Sequence, residues 1–257
     1  DDKSIEKAYE LGVSGYITRP FSSAVVLKKI NNIISHYKRQ KKLTTIINKQ
    51  IYEKYKNNDM MIMILSHIVE SRNGESGLHV LHIKKLTKLL LNILVKKTNQ
   101  YSLTLDDMIS IEVASSLHDI GKIAIPTEVL NKMGKLTKGE FETIKKHVIY
   151  STLILSPIKE LGDIVELVSN HHEKHDQSGY PLKLNSQKLT QQMDVLAFAD
   201  IFSALSEDRP SRKHMNPEMM KSTLATFIPE KLSENIYQVI IANFDELLNL
   251  TNIQERN

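Results

Sequence analysis

The stretch Val195-Leu196-Ala197-Phe198-Ala199-Asp200-Ile201-Phe202 sets one carboxylate inside an otherwise apolar run. A helix this apolar is buried in a core. An ionised carboxylate is costly to bury unless something positive compensates it. Whatever fold the chain adopts must therefore bring a metal ion or a basic side chain to Asp200.

Seven further side chains of metal-ligand type precede Asp200 in recognisable contexts: Glu75, His79, His118, Asp119, His147, His171 and His172. Together with Asp200 they make five imidazoles and three carboxylates, and the chain has no cysteine to add a thiolate. Such nitrogen and oxygen donors suit two or three divalent ions of the iron, manganese or zinc kind. Each piece also has a plainer reading. Glu75 and His79 are four residues apart, on one face of a helix if Gly77 permits one, and such a pair is also an ordinary surface contact. His118 and Asp119 point about 100° apart on a helix, so they share an ion only at its end, unless Asp119 bridges two. Otherwise they are a satisfied buried histidine beside an Asp that the helix dipole disfavours by ~0.3–1 kcal/mol. His147 is expected near the C-terminal end of a helix over 138–149, where the dipole favours a histidine anyway. His171 and His172 close a helical pattern over 164–172.

The whole chain adds limits. Its 257 residues exceed the needs of one compact domain. Without cysteine there is no disulfide framework. No apolar run reaches the ~18–20 residues of a membrane span, and no charged-then-apolar leader opens the chain. A formal charge of +4 does not call for a nucleic-acid polymer as partner. The start at Asp1-Asp2 without methionine reads as a piece of a longer protein, and a cytoplasmic location is the expectation.

Three segments are expected: 1–36, 37–58 and 59–257. In the first, a helical pattern over 4–11 ends at Gly12, a strand-like Gly15-Tyr16-Ile17-Thr18 runs into Arg19-Pro20-Phe21, and a helix starts at Ser22 or Ser23. The second is a charged connector helix that includes Lys38-Arg39-Gln40-Lys41-Lys42. Its apolar positions, among them Tyr37, Leu43, Ile46, Ile47 and Ile51, suit either a solvated helix or a short coiled coil joining two copies in a homodimer. The third segment reads as helix throughout. Thr104 with Asp107, and Thr137 with Glu140, have the spacing of capping boxes. The fold class is mainly α.

The first segment resembles the last strand and turn of a response-regulator receiver domain, with Arg19 where that family normally has a lysine. The strand bearing the phospho-accepting aspartate would lie upstream of residue 1. The resemblance implies an upstream histidine kinase acting on the full-length receiver.

The third segment resembles the HD-GYP family, a branch of the HD superfamily of phosphohydrolases. The matching stretches are His118-Asp119-Ile120-Gly121-Lys122-Ile123, Asn131-Lys132-Met133-Gly134-Lys135-Leu136-Thr137, His147, His171-His172-Glu173, Asp176 with Gly179-Tyr180-Pro181, Ala199-Asp200, and Asp208-Arg209-Pro210. The resemblance implies an HD-type helical bundle around two or three divalent ions, iron or manganese first, with zinc, nickel or cobalt as alternatives. It implies hydrolysis of cyclic di-GMP to the linear dinucleotide or GMP. His79, His118, Asp119, His147, His171, His172 and Asp200 match metal-binding positions, with Asp119 as the bridge, and Glu75 matches the carboxylate of a third ion. Lys122 matches a lysine beside the attacking water or phosphate, and Tyr180, Arg209 and Arg212 fall where substrate contacts are expected.

The family pattern is not kept everywhere. His175 replaces a tryptophan, Gln177 a glycine that serves a positive φ, Ser203 an acidic residue, and His82 an arginine. Two alternatives therefore stay open beside cyclic di-GMP hydrolysis. One is a catalytically weak module that binds a cyclic dinucleotide and signals. The other is an HD phosphohydrolase acting on another nucleotide, including a mixed cyclic dinucleotide.

Overall fold

A computed structural model describes residues 6–7, 10–13, 16–17, 19–72, 78–97, 103–207 and 213–252. The chain divides into two compact units, Asp1–Asp59 and Met60–Asn257. Among the described residues every regular element is helical, and no helix is long and apolar enough to cross a membrane.

In the first unit, Tyr16 and Ile17 have no regular structure, while Gly15 and Thr18 of the expected strand lie outside the described residues. Gly12 has a φ of +82°, the left-handed conformation that ends helices. The dominant element is α1, Ser23–Ser71, a helix of 49 residues. It begins where the pattern predicts, with Ser22 Oγ accepting from the Val25 N–H at 3.3 Å. No glycine or proline interrupts it, so the expected segment boundaries at 36/37 and 58/59 both fall inside one helix. Ile30, Ile33, Tyr37, Ile47 and Ile51 are each at least 45% exposed along it.

In the second unit, the end of α1 buries Ser66, Val69 and Glu70. There follow α2 (Leu78–Lys97), α3 (Leu105–Leu117), a 3-10 turn (Ile120–Ala124), the short α4 (Thr127–Leu130), α5 (Lys138–Leu155) and α6 (Gly162–Asn170). After these come α7 (Gln191–Ser206), α8 (Pro217–Lys231), α9 (Glu234–Ala242) and α10 (Phe244–Asn252). Thr104 with Asp107 and Thr137 with Glu140 form reciprocal capping boxes at the starts of α3 and α5. These bonds satisfy amides that have no partner within the helix.

The core explains why the helices assemble. Ile83, Leu86, Leu90 and Leu94 follow three- and four-residue steps along α2 and are fully buried. They meet Ile111 and Ala114 of α3 and Val195, Leu196 and Phe198 of α7 in one apolar cluster. Phe202 joins it, its ring 5.5 Å from that of Phe198 and 5.9 Å from that of Phe244. Truncating such a side chain to alanine costs roughly 3–5 kcal/mol. The packing of α2, α3 and α7 fixes the first turn of α2, the last turn of α3 and the middle of α7 in one frame.

Candidate metal centre

Each described ligand-type side chain sits on a helix or at the end of one. His79 lies in the first turn of α2, His118 caps the C-terminus of α3, and Asp119 leads into the 3-10 turn that carries Lys122. His171 caps α6, with His172 next, and Asp200 lies within α7. His147 corrects an expectation. Its helix runs to Leu155, not to 149, so His147 sits mid-helix and the dipole no longer accounts for it.

The side chains converge. Ligand atoms of His147, His171 and His172 lie within 4.8 Å of one another, as do those of His79, His118 and Asp200, and those of His118, Asp119 and His171. Asp119 has one oxygen 3.3 Å from His147 Nε2 and the other 3.2 Å from His118 Nε2. Adjacent residues can serve one centre here because the helix ends at His118: Asp119 has left it, with φ −99° and ψ 9°. His118 Nε2 is 3.8 Å from one oxygen of Asp200, and His172 Nδ1 is 4.0 Å from the other. Lys122 Nζ reaches Asp119 at 2.7 Å.

The ring nitrogens divide their tasks. His118, His147 and His171 each donate Nδ1–H to the carbonyl three residues back, those of Ser115, Ile144 and Val168, at 2.9, 2.7 and 2.7 Å. That bond fixes the tautomer and turns the Nε2 lone pair toward the cluster. The Nε2 atoms of His79, His82, His118, His147 and His171 are buried without a hydrogen-bond partner, and all of these but His82 belong to the clusters. One buried polar atom left so costs ~1–3 kcal/mol. Four such atoms facing two carboxylates fit a divalent cation.

The electrostatics fit as well. Burial pushes His171 down to about 3, aided by the charges of His118 and His147. It also lowers His147 and His172, leaving neutral ligands. Burial opposes charge on His118 too, but Asp119 and Asp200 raise that ring to about 9. Asp119 is buried, yet Lys122 and His118 hold it well below the usual carboxylate range. Burial is the largest influence on His79 and lowers it, but Glu207 and Glu70 together more than offset this.

Around the cluster, the Tyr180 ring lies 4.7 Å from that of His172, and Lys145 Nζ is 5.4 Å above the Tyr180 ring. Burial, with Asp119 and Asp200 nearby, raises the Tyr180 phenol. Gly179 allows this approach, because a Cβ there would meet Glu173 Cα and Lys174 N at 2.6 Å. Gln177 does adopt the positive φ for which a glycine is suited, +60°. His175, which replaces the family's tryptophan, is partly buried. Instead of standing free in solvent, it places Nε2 2.9 Å from an oxygen of Asp194, a buried carboxylate of α7. Glu75, Arg209 and Arg212 lie outside the described residues.

Sequence reasoning overlooked two carboxylates. Glu70 is 3% exposed at the end of an apolar run, with Oε1 3.9 Å from His79 Nε2. The signal that singled out Asp200 applies to it equally. Glu207 lies seven residues after Asp200 and contacts His79 Nδ1 at 2.8 Å. Its only signal was the helical spacing.

The HD domain family model matches residues 76–224, more than half of the chain. Over 240 residues the chain is 29% identical to a Vibrio cholerae protein named "Probable cyclic di-GMP phosphodiesterase", covering 84% of this chain and 53% of that one. It is 30% identical over 190 residues to the "3'3'-cGAMP-specific phosphodiesterase 2" of the same organism, covering 73% and 35% respectively. A "Cyclic di-GMP phosphodiesterase" of Thermotoga maritima is 28% identical over 255 residues, covering 92% and 66%. The chain thus spans about half the length of the first relative and about a third of the second.

Proposed function

Since the chain belongs to the HD domain family, we propose that it is a metal-dependent phosphodiesterase acting on a cyclic dinucleotide, cyclic di-GMP first. The observation that carries this reading is the set of buried, unpartnered Nε2 atoms of His79, His118, His147 and His171. They face two carboxylates, Asp119 and Asp200.

In this reading His79, His118, Asp119, His147, His171, His172 and Asp200 hold two divalent ions, and Glu75 completes a site for a third. Iron or manganese suits these donors, with zinc, nickel or cobalt as substitutes. Ions held there would lower the pKa of a bound water and offset the charge that develops on a phosphoryl group. Asp119, with an oxygen toward each of two imidazoles, would be the carboxylate able to hold both ions. Lys122 offers Nζ–H donors beside it to a phosphate oxygen. Arg209 and Arg212 are assigned to the substrate phosphate, whose non-bridging oxygens a guanidinium can hold in two-pronged fashion. Tyr180 presents an aromatic face next to His172. A cavity of about 270 Å³ adjoins His171, His172 and Asp200, and Ala197, Ile201, Leu205 and Leu224 give it apolar walls for a nucleobase.

The identity to the 3'3'-cGAMP-specific relative favours a mixed cyclic dinucleotide as the second reading. The altered residues His175 and Gln177 lie in the loop before Tyr180, where the base would be sensed. Segment 1–36 is read as the end of a receiver domain that answers an upstream histidine kinase, and the exposed apolar side chains of α1 as a homodimer seam.

The test is to incubate the purified protein with manganese or ferrous iron and either cyclic di-GMP or 3'3'-cGAMP, and to separate the products by chromatography. Hydrolysis abolished by Asp119→Ala supports the proposal, and the faster substrate names the specificity. Tight binding without turnover would make the chain a signalling module. Neither binding nor turnover after metal loading would overturn the reading.

A further inference from the structure

His79 differs from the other buried imidazoles in how its second nitrogen is held. His118, His147 and His171 each have a preceding helical turn, and each uses the carbonyl three residues back. At His79, the second residue of α2, the acceptor is not a backbone carbonyl. Glu207 supplies it from another element, with Oε2 2.8 Å from His79 Nδ1. The other oxygen, Oε1, bonds to His82 Nδ1 and accepts from Ser203 Oγ at 2.6 Å. Ser203 Oγ is itself 3.2 Å from His79 Nδ1.

We propose that Glu207 is a positioning residue: its carboxylate fixes the tautomer and direction of His79, so that Nε2 faces the ion cluster. His82 and Ser203 hold the carboxylate in place. The proposal rests on the reading of His79 as a metal ligand.

The location of Glu207 supports the assignment. It forms the C-cap of α7, where the helix dipole disfavours a carboxylate. Two imidazole Nδ1 atoms and a hydroxyl offset that cost, and all three contacts meet at this one side chain. Helical geometry supplies the alignment. Asp200, Ser203 and Glu207 follow three- and four-residue steps on α7, as do His79 and His82 on α2, so one face of each helix is engaged. Ser203 and His82 are the two residues at which this chain departs from the acidic residue and arginine of the HD-GYP pattern. Glu207 thus returns a carboxylate to this face one turn beyond Ser203. A charged acceptor also makes an imidazole a stronger donor to metal than a backbone carbonyl does.

The experiment measures manganese affinity by competition with a chelating dye, alongside elemental analysis and the KM and kcat for cyclic di-GMP. Glu207→Ala is expected to weaken the most affected ion by about 10–100-fold, the usual effect of losing such an outer partner. KM should stay near its original value. Glu207→Gln, which keeps shape and one acceptor, should fall between the two. Adding Ser203→Asp to Glu207→Ala puts a carboxylate close to His79 Nδ1 and should restore affinity, which a merely structural role would not. Unchanged affinity in both Glu207 variants would overturn the proposal, provided His79→Ala weakens binding. If His79→Ala also leaves affinity unchanged, the reading of His79 as a ligand fails, and the proposal falls with it. Failure of Ser203→Asp to restore any affinity, with the metal-free variants unfolding cooperatively, would likewise count against it.

Discussion

Gly121 donates its backbone N–H to Ser151 Oγ at 2.8 Å, and Ser151 in turn donates to the His118 carbonyl at 3.2 Å. This relay pins the turn carrying Asp119 and Lys122 onto α5, which carries His147. A Cβ on Gly121 would overlap the His147 carbonyl and the Ser151 amide. Gly121→Ala is therefore expected to destabilise the second unit by about 1–3 kcal/mol or more through overpacking, and to abolish metal uptake. Ser151→Ala leaves a buried amide unpaired and should cost about 1–3 kcal/mol in urea unfolding.

Lys122 touches Asp119 but belongs to none of the three ligand clusters. Lys122→Met should leave the metal content near that of the parent and lower kcat by roughly 10²–10³, the range for losing one donor aimed at developing charge. Elemental analysis and initial rates on the same preparation check both parts. Loss of metal would instead assign Lys122 to holding Asp119 in place.

Gln177 holds a left-handed backbone that glycine adopts freely. The strain on a residue with a Cβ is ~1–2 kcal/mol. Glycine gives back ~0.5–1 kcal/mol through its freer unfolded chain. Gln177→Gly should raise stability by up to about 1 kcal/mol, read from the denaturant midpoint at constant slope.

Glu140 is held at about 2, against an ordinary 4.5, first by hydrogen bonding to Lys132 and then by Thr137. The unfolded chain takes up this proton at higher pH than the folded one. The bond therefore stabilises fully above 4.5 and is lost as pH falls toward 2. Glu140→Gln should be less stable than the parent at pH 6, with the gap narrowed at pH 3, as unfolding curves at the two values would show.

Ile47 and Ile51 are more than half exposed and one helical turn apart on α1. With both changed to lysine, the homodimer expected through this helix should sediment as a monomer. Identical sedimentation of parent and variant would remove α1 from the interface.

Local signals were legible where a helix announces itself. The two capping boxes marked the starts of α3 and α5, and the carboxylate in an apolar run marked Asp200. The end of α5 was not legible, because Tyr150, Ser151 and Thr152 carry no apolar stripe. Tertiary contacts extend the helix there, including a 2.7 Å bond from Thr152 Oγ1 to Ser169 Oγ. Glu207 and Asp194 escaped notice for a related reason. Their partners, His79 and His175, are 128 and 19 residues away in the chain. Spacing within one helix cannot disclose a contact made with a different element.

Glu173, buried beside the histidine pair, accepts the amides of Leu182, Lys183 and Leu184 at 2.6, 3.0 and 2.9 Å. One carboxylate thus ties both feet of the intervening loop to a single anchor. Between those feet the loop is constrained mainly at Gly179, where a Cβ would overlap Glu173, and at His175, which is tied to Asp194. Other positions of the loop can change without loosening the anchor that holds its base beside the histidine pair.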